Sequence, residues 1–118
     1  MRFTQVKIET IDLSDERFRV SFPGSPDDLV DSIRMVGLLN PPVLASRESR
    51  LVLVSGWRRI QACRALRLSP IPVFIEEGRD DLELFWIAVY ENASSRSLST
   101  VEKGEILARL QSFGASRP

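Results

Sequence analysis

Histidine is missing from this chain altogether, and cysteine occurs once, at Cys63. Without histidine the commonest general base and the commonest transition-metal ligand are gone. A zinc site built on one cysteine and no histidine is not expected. A lone cysteine also excludes an internal disulfide framework and is compatible with the cytoplasm. No stretch approaches the ~20 apolar residues that cross a bilayer, and the N-terminus lacks the apolar region of a signal peptide, so no membrane partner is expected. Neither sign of charge dominates. Sixteen Lys and Arg face sixteen Asp and Glu, for a formal net charge of zero. That balance argues against gripping DNA by bulk electrostatics. What remains is an ordinary globular composition, 43% hydrophobic and 27% charged over 118 residues, enough for one domain with a real core.

The charges that are present are unevenly placed. Ser49 to Ile75 holds five arginines (Arg50, Arg58, Arg59, Arg64 and Arg67) and no acid, and the acids then cluster at Glu76, Glu77, Asp80, Asp81 and Glu83. Such blocks are usually solvated faces, but this one contains an unusual turn. Leu51-Val52-Leu53-Val54 reads as a buried strand. Ser55-Gly56 breaks it, and Trp57 to Leu68 reads as a helix. Arg58 and Arg59 then fall in the first helical turn. There the partial positive charge of the helix end disfavours a cation by about 0.3–1 kcal/mol. A strand, a glycine turn, free N–H groups and two guanidinium forks together describe an anion site. At 100° per residue, Ala62, Cys63 and Leu66 share one arc with Ile60 at its edge, and Arg59 lies inside it. A buried cation without a partner costs several kcal/mol, so Arg59 calls for an anion, either an Asp or Glu of the fold or a ligand. With Arg58 and Gly56 beside it, a bound phosphate is the expected guest.

Along the chain, Thr4 to Thr10 alternates and reads as an edge or half-buried strand, followed by an irregular stretch from Asp12 to Phe22. Ser25-Pro26-Asp27-Asp28 is a helix start, with a serine N-cap, proline at the first position and acids in the first turn. Leu29, Ile33 and Val36 form that helix's apolar face, Val30 lies at its edge, and Gly37 ends it. Val43-Leu44-Ala45 and Leu51–Val54 are expected to pair as an antiparallel hairpin through Arg47–Arg50. Ile71–Ile75 is a further strand, placed near an edge by Pro72. Asp80 to about Ala93 is helical. Ser99-Thr100-Val101-Glu102 is a capping box opening a last helix to about Ser112. The total is a mixed α/β (α+β) domain of about four strands and four helices.

The turn and its flanks resemble the ParB/sulfiredoxin superfamily, and within it the N-terminal ParB-like domain. The family's Gly-Glu-Arg-Arg, helix and Ile-Pro-Val strand correspond to Gly56-Trp57-Arg58-Arg59, the helix and Ile71-Pro72-Val73. Upstream, Ser32-Ile33-Arg34 through Gly37 and Leu38-Leu39-Asn40-Pro41 match a helix ending in Gly and an apolar-Gln-Pro segment. Downstream, Glu91-Asn92, Arg96-Ser97-Leu98 and the helix from Thr100 match the family's Glu-Asn, an Arg among polar residues, Leu-x-Pro and a helix. Near the N-terminus, Arg17-Phe18-Arg19 before Phe22 resembles a Gln-Pro-Arg element. The resemblance runs from about Ile8 to Phe113, and residues 1–118 are read as a single domain of this kind.

The resemblance implies binding of CTP, or another nucleotide, with a divalent cation such as Mg²⁺. It implies that Gly56, Trp57, Arg58, Arg59 and Arg19 lie at the nucleotide and phosphates, and that Glu91 and Asn92 lie on the metal side. A Glu-Asn pair suits Mg²⁺, which takes one or two protein oxygens plus phosphate and water. Glu91 has a second reading, as the internal partner of Arg59. Trp57 departs from the family, standing where its carboxylate is implicated in nucleotide turnover. It is read as a cover for the pocket, a stack for a base or a packing residue. Weak nucleotide hydrolysis or phosphotransfer is therefore the most activity expected. Sulfinic-acid reduction is not expected, since Trp57 takes the place of the sulfiredoxin cysteine. In ParB proteins a helix-turn-helix domain follows, so DNA is expected only through a domain or partner absent from this chain, and a homodimer is plausible from the family. The preferred reading is a nucleotide-binding regulatory domain of a cytoplasmic, nucleoid-associated partition or transcription-type protein. Its alternatives are a small-molecule phosphotransferase resembling the free-serine kinases, and a protein-interaction domain without ligand.

Overall fold

The computed structural model describes residues 1–20, 27–95 and 98–113. The strands are β1 (Arg2–Val6), β2 (Ile11–Asp12), β3 (Val43–Arg47), β4 (Arg50–Ser55) and β5 (Ile71–Glu76), and the helices are α1 (Asp27–Val36), α2 (Trp57–Ala65), α3 (Asp81–Ser95) and α4 (Thr100–Ser112). The five strands form one mixed sheet in the order β1-β5-β3-β4-β2. β3 and β4 are the expected antiparallel hairpin, turning at Glu48 and Ser49, both with positive φ.

Alternation along the strands divides the interior into two apolar clusters. Leu44, Leu53, Ile71, Val73 and Ile75 pack with Ile33 of α1 and Ile60, Ala62 and Cys63 of α2. Val43, Ala45, Val52 and Val54 pack with Leu84, Phe85 and Ala88 of α3 and Ile106 and Leu110 of α4. The sheet is thus a middle layer with two helices on each side. Phe18, fully buried in the second cluster, draws the irregular stretch after β2 against the sheet. Phe113, just after α4, meets both Phe18 (centroids 6.2 Å apart) and Phe85 (5.0 Å). The Arg109 guanidinium lies over the Phe85 ring and donates to the Arg17 carbonyl. The capping box at Ser99 and Glu102 has both of its reciprocal bonds.

Four sequence expectations need correction. There are five strands rather than about four, because Ile11–Asp12 pairs parallel to Leu51 and Val52. The first strand ends at Val6, and a single 3-10 turn at Ile8–Thr10 replaces its expected continuation. β5 is interior. Pro72 is tolerated because its ring nitrogen points to the β3 side where β3 has not yet begun. The next N–H on that side, at Phe74, reaches the Pro42 carbonyl at 2.9 Å. Val36, placed on the apolar face of α1, is 58% exposed, so the buried face of α1 ends at Ile33. The serine cap at Ser25-Pro26, Phe22 and the Arg96-Ser97 match lie outside the described residues.

Candidate functional site

The strand-turn-helix at Ser55–Arg59 is built by one backbone reversal. Gly56 has φ 108° and is the N-cap of α2, with no side-chain cap. Only glycine takes this conformation without strain, and here it is also the only residue that fits. A Cβ on Gly56 would lie 3.0 Å from Cβ and 3.1 Å from Cα of the buried Pro42. The first intrahelical bond runs from the Ile60 N–H to the Gly56 carbonyl (2.9 Å). The N–H groups of Trp57, Arg58 and Arg59 therefore precede the helix's own acceptors and point out of its positive end.

A cleft of about 360 Å³ opens at this end, walled by the α1 end and the 37–40 segment on one side and by Glu91 and Asn92 of α3 on another. Its polar half is Ser55, Gly56, Arg58, Arg59, Glu91 and Asn92, and its apolar half includes Leu29, Ile33, Leu38 and Leu39. Arg59 spans the site. One guanidinium nitrogen donates to the carbonyls of Asn40 (3.0 Å) and Pro41 (3.1 Å), and the other pairs with Glu91 at 3.3 Å. Arg58 lines the cleft, is exposed, and meets no carboxylate among the described residues. Arg19 lies 4.6 Å from the Trp57 ring centroid and also pairs with Glu16 at 3.0 Å. Trp57 is partly buried and packs against the first apolar cluster. Asn92 Nδ2 donates to the Ala88 carbonyl at 2.8 Å, one turn back along α3.

The ParB N-terminal domain model matches residues 1–93. The chain belongs to that family. A probable chromosome-partitioning protein ParB of Campylobacter jejuni is 29% identical over 100 residues, which is 84% of this chain and 36% of the relative. A nucleoid occlusion protein of Halalkalibacterium halodurans is 30% identical over 84 residues, 71% of this chain and 29% of the relative. The chain thus spans about a third of the length of these curated relatives. Among solved structures, the C-terminally truncated chromosome-partitioning protein ParB of Caulobacter crescentus, complexed with CTP-gamma-S, superposes with a TM-score of 0.69 at 23% identity, covering 93% of this chain and 71% of that one. At that identity the likeness concerns the fold, an α+β domain with ParB-like architecture.

In this ParB domain the structure gathers Gly56, Trp57, Arg58, Arg59, Glu91 and Asn92 around one cleft, and Arg19 joins through Trp57. Arg59 has the internal partner that the sequence allowed as one alternative, Glu91, and the cleft beside the pair remains open. Trp57 lines the cleft, with Arg19 over its ring and the first apolar cluster packed against it. Among the described residues no group of three or more His, Cys, Asp or Glu gathers as a metal cluster. A Mg²⁺ here would take Glu91 and Asn92 as one or two protein ligands and leave the rest of its shell to phosphate and water. Cys63 sits inside the first cluster, where burial pushes its thiol up. Sequence reasoning missed Ser55 and the Asn40 and Pro41 carbonyls. The small polar residue directly before the glycine was the available signal for Ser55, whereas backbone acceptors carry no side-chain signature.

Proposed function

We propose that this domain is a nucleotide-binding switch module, taking CTP or a closely similar nucleotide with Mg²⁺, in a ParB-like protein that acts on the nucleoid. The observation that carries the reading is the cleft at the Gly56 turn, where the open N-terminus of α2 and the unpaired Arg58 face a space bordered by Glu91 and Asn92. The helix N–H groups and the two guanidinium groups at the turn are donors, so the chemistry suits an acceptor-rich anion. The cleft's apolar half, with Leu38 and Leu39, suits the nucleoside end. Arg59 is held by Glu91. A polyphosphate entering with Mg²⁺ would take over both charges, the cation going to Glu91 and Asn92 and the phosphate to Arg59. Membership of the family and a neighbour complexed with CTP-gamma-S support the reading.

DNA contact belongs to a further domain or a partner, because sixteen basic and sixteen acidic residues leave a formal net charge of zero for gripping phosphates. Pairing of two copies of this domain, and a place at the nucleoid in the cytoplasm, follow from the same reading. No helix among the described residues is long and apolar enough to cross a membrane. Calorimetric titration with CTP, ATP and GTP, with and without Mg²⁺, tests the proposal. Mg²⁺-dependent binding that disappears in Arg58→Ala and in Arg59→Ala is expected. Absence of binding by all three nucleotides at millimolar concentration would refute it.

A further inference from the structure

Ser55 and Trp57 are cleft-lining residues that each carry a buried polar side-chain atom without a partner among the described residues, and that of Ser55 is a hydroxyl. Ser55 is 3% exposed, and its hydroxyl has no hydrogen-bond partner among the described residues. A buried hydroxyl left unpaired is costly, and such a group next to a binding cleft points to a partner that arrives from outside. Leu44 pairs with Leu53, but Val43 pairs with Ser55, so β4 carries one extra residue at this end. Ser55 lies at this irregular end of the strand and lines the cleft, one residue before the Gly56 turn.

We infer that Ser55 is a ligand-binding residue, its hydroxyl donating a hydrogen bond to a phosphate oxygen of the nucleotide held at the α2 N-terminus. The inference rests on the nucleotide-binding reading above and adds to it a residue and the part of the ligand that residue reads. The direction of the bond follows from the surroundings. The N–H groups of Trp57 to Arg59 and the Arg58 guanidinium are all donors, so an occupant must bring acceptors. A hydroxyl at that end has only its proton to offer them. A hydroxyl can also rotate its proton toward whichever phosphate oxygen lies nearest, which fixed backbone N–H groups cannot.

The test compares the parent chain with Ser55→Ala and Ser55→Cys, titrated with CTP plus Mg²⁺ and separately with inorganic tripolyphosphate, alongside the melting temperature of each ligand-free protein. Ser55→Ala is expected to bind both ligands about tenfold more weakly, since a hydrogen bond to a charged acceptor is among the stronger ones. Ser55→Cys, which keeps the shape but donates weakly, should fall with it. The ligand-free melting temperature should hold or rise, because removing an unpaired hydroxyl leaves nothing unsatisfied. Parent-like affinity of Ser55→Ala for both ligands overturns the inference while leaving nucleotide binding intact. A loss confined to CTP, with tripolyphosphate unaffected, overturns the phosphate contact. A loss of affinity that tracks a lower ligand-free melting temperature also overturns it, as a packing effect. A parent chain that binds neither ligand overturns the inference and the nucleotide reading together.

Discussion

Replacing Gly56 by alanine perturbs the turn through two separable effects. The first is conformational. At φ 108° the residue lies beyond the small left-handed region open to other residues, and holding alanine there costs about 2 kcal/mol. The second is steric. The added Cβ would stand 3.0 Å from Pro42 Cβ and 3.1 Å from its Cα. Pro42 is fully buried, and its carbonyl accepts from the Phe74 N–H at 2.9 Å, so neither the ring nor the backbone yields freely. Overpacking of this kind costs about 1–2 kcal/mol. The sum, about 3–4 kcal/mol, is a large part of the roughly 5–15 kcal/mol that holds a domain together. For a chain of this size it corresponds to a melting temperature lower by about 10–15 °C. Gly78→Ala supplies the control, because Gly78 has φ 72° but nothing within 4 Å of its added Cβ. It should lose only the conformational part, about 1–2 kcal/mol. Urea denaturation followed by far-UV circular dichroism measures both, with unchanged m-values showing that the unfolded reference is the same. If Gly56→Ala loses no more than Gly78→Ala, the Pro42 contact has no energetic weight and the account of the turn is wrong.

Three further outcomes are expected. Gly104→Ala should raise stability by about 0.5–1 kcal/mol, since Gly104 lies inside α4 with open space around its added Cβ and alanine is the better helix former; a lower urea midpoint would contradict this. Burial raises the Cys63 thiol above its ordinary value of 9.0, so its contribution is present below that value and is lost as pH rises through the higher folded one. The urea midpoint of the parent should therefore fall from pH 8 to pH 10 more steeply than that of Cys63→Ala, and parallel curves would remove the thiol as the cause. The hydrogen bonds from the Arg17 guanidinium hold the Asp15 carboxyl below its ordinary 3.8, so its stabilisation is present above that value and is lost as pH falls through the lower folded one. Asp15→Asn should flatten the loss of stability below about pH 4, and an acid limb as steep as the parent's would argue that other carboxylates govern it.

Local signals made most of this fold legible. The capping box at Ser99–Glu102, the apolar run Leu51–Val54 and the Gly56 break fixed α4, β4 and the start of α2 from a few neighbouring residues each. β2 was invisible because two residues carry no period. It exists through its pairing with β4 and through the Asp12–Arg50 ion pair, both of which join distant positions. Pro72 misled for a related reason. A proline is excluded from a central strand only where its N–H would have met a neighbour, and β3 stops short of it. Within the site, Arg58, Arg59 and Gly56 announced themselves as residues in the wrong electrostatic place. The Arg59–Glu91 contact joins α2 to a helix on the far side of the sheet; the sequence offered it as one of two readings of Glu91, because spacing places both residues inward without saying that they meet. Ser55 escaped because the burial of its hydroxyl without a partner depends on what the rest of the fold places around it.

The sheet keeps its two apolar clusters apart, with α1 and α2 on one side and α3 and α4 on the other. At the cleft this partition has a mechanical consequence. The strands end there, so the halves meet across a seam stitched by side chains, Arg59 to Glu91 above all. A seam of that kind can part or tighten while every strand ladder stays whole. Whatever sits between those two residues is in a position to set how the helical layers lie against each other, at the cost of a few polar contacts and none of the core.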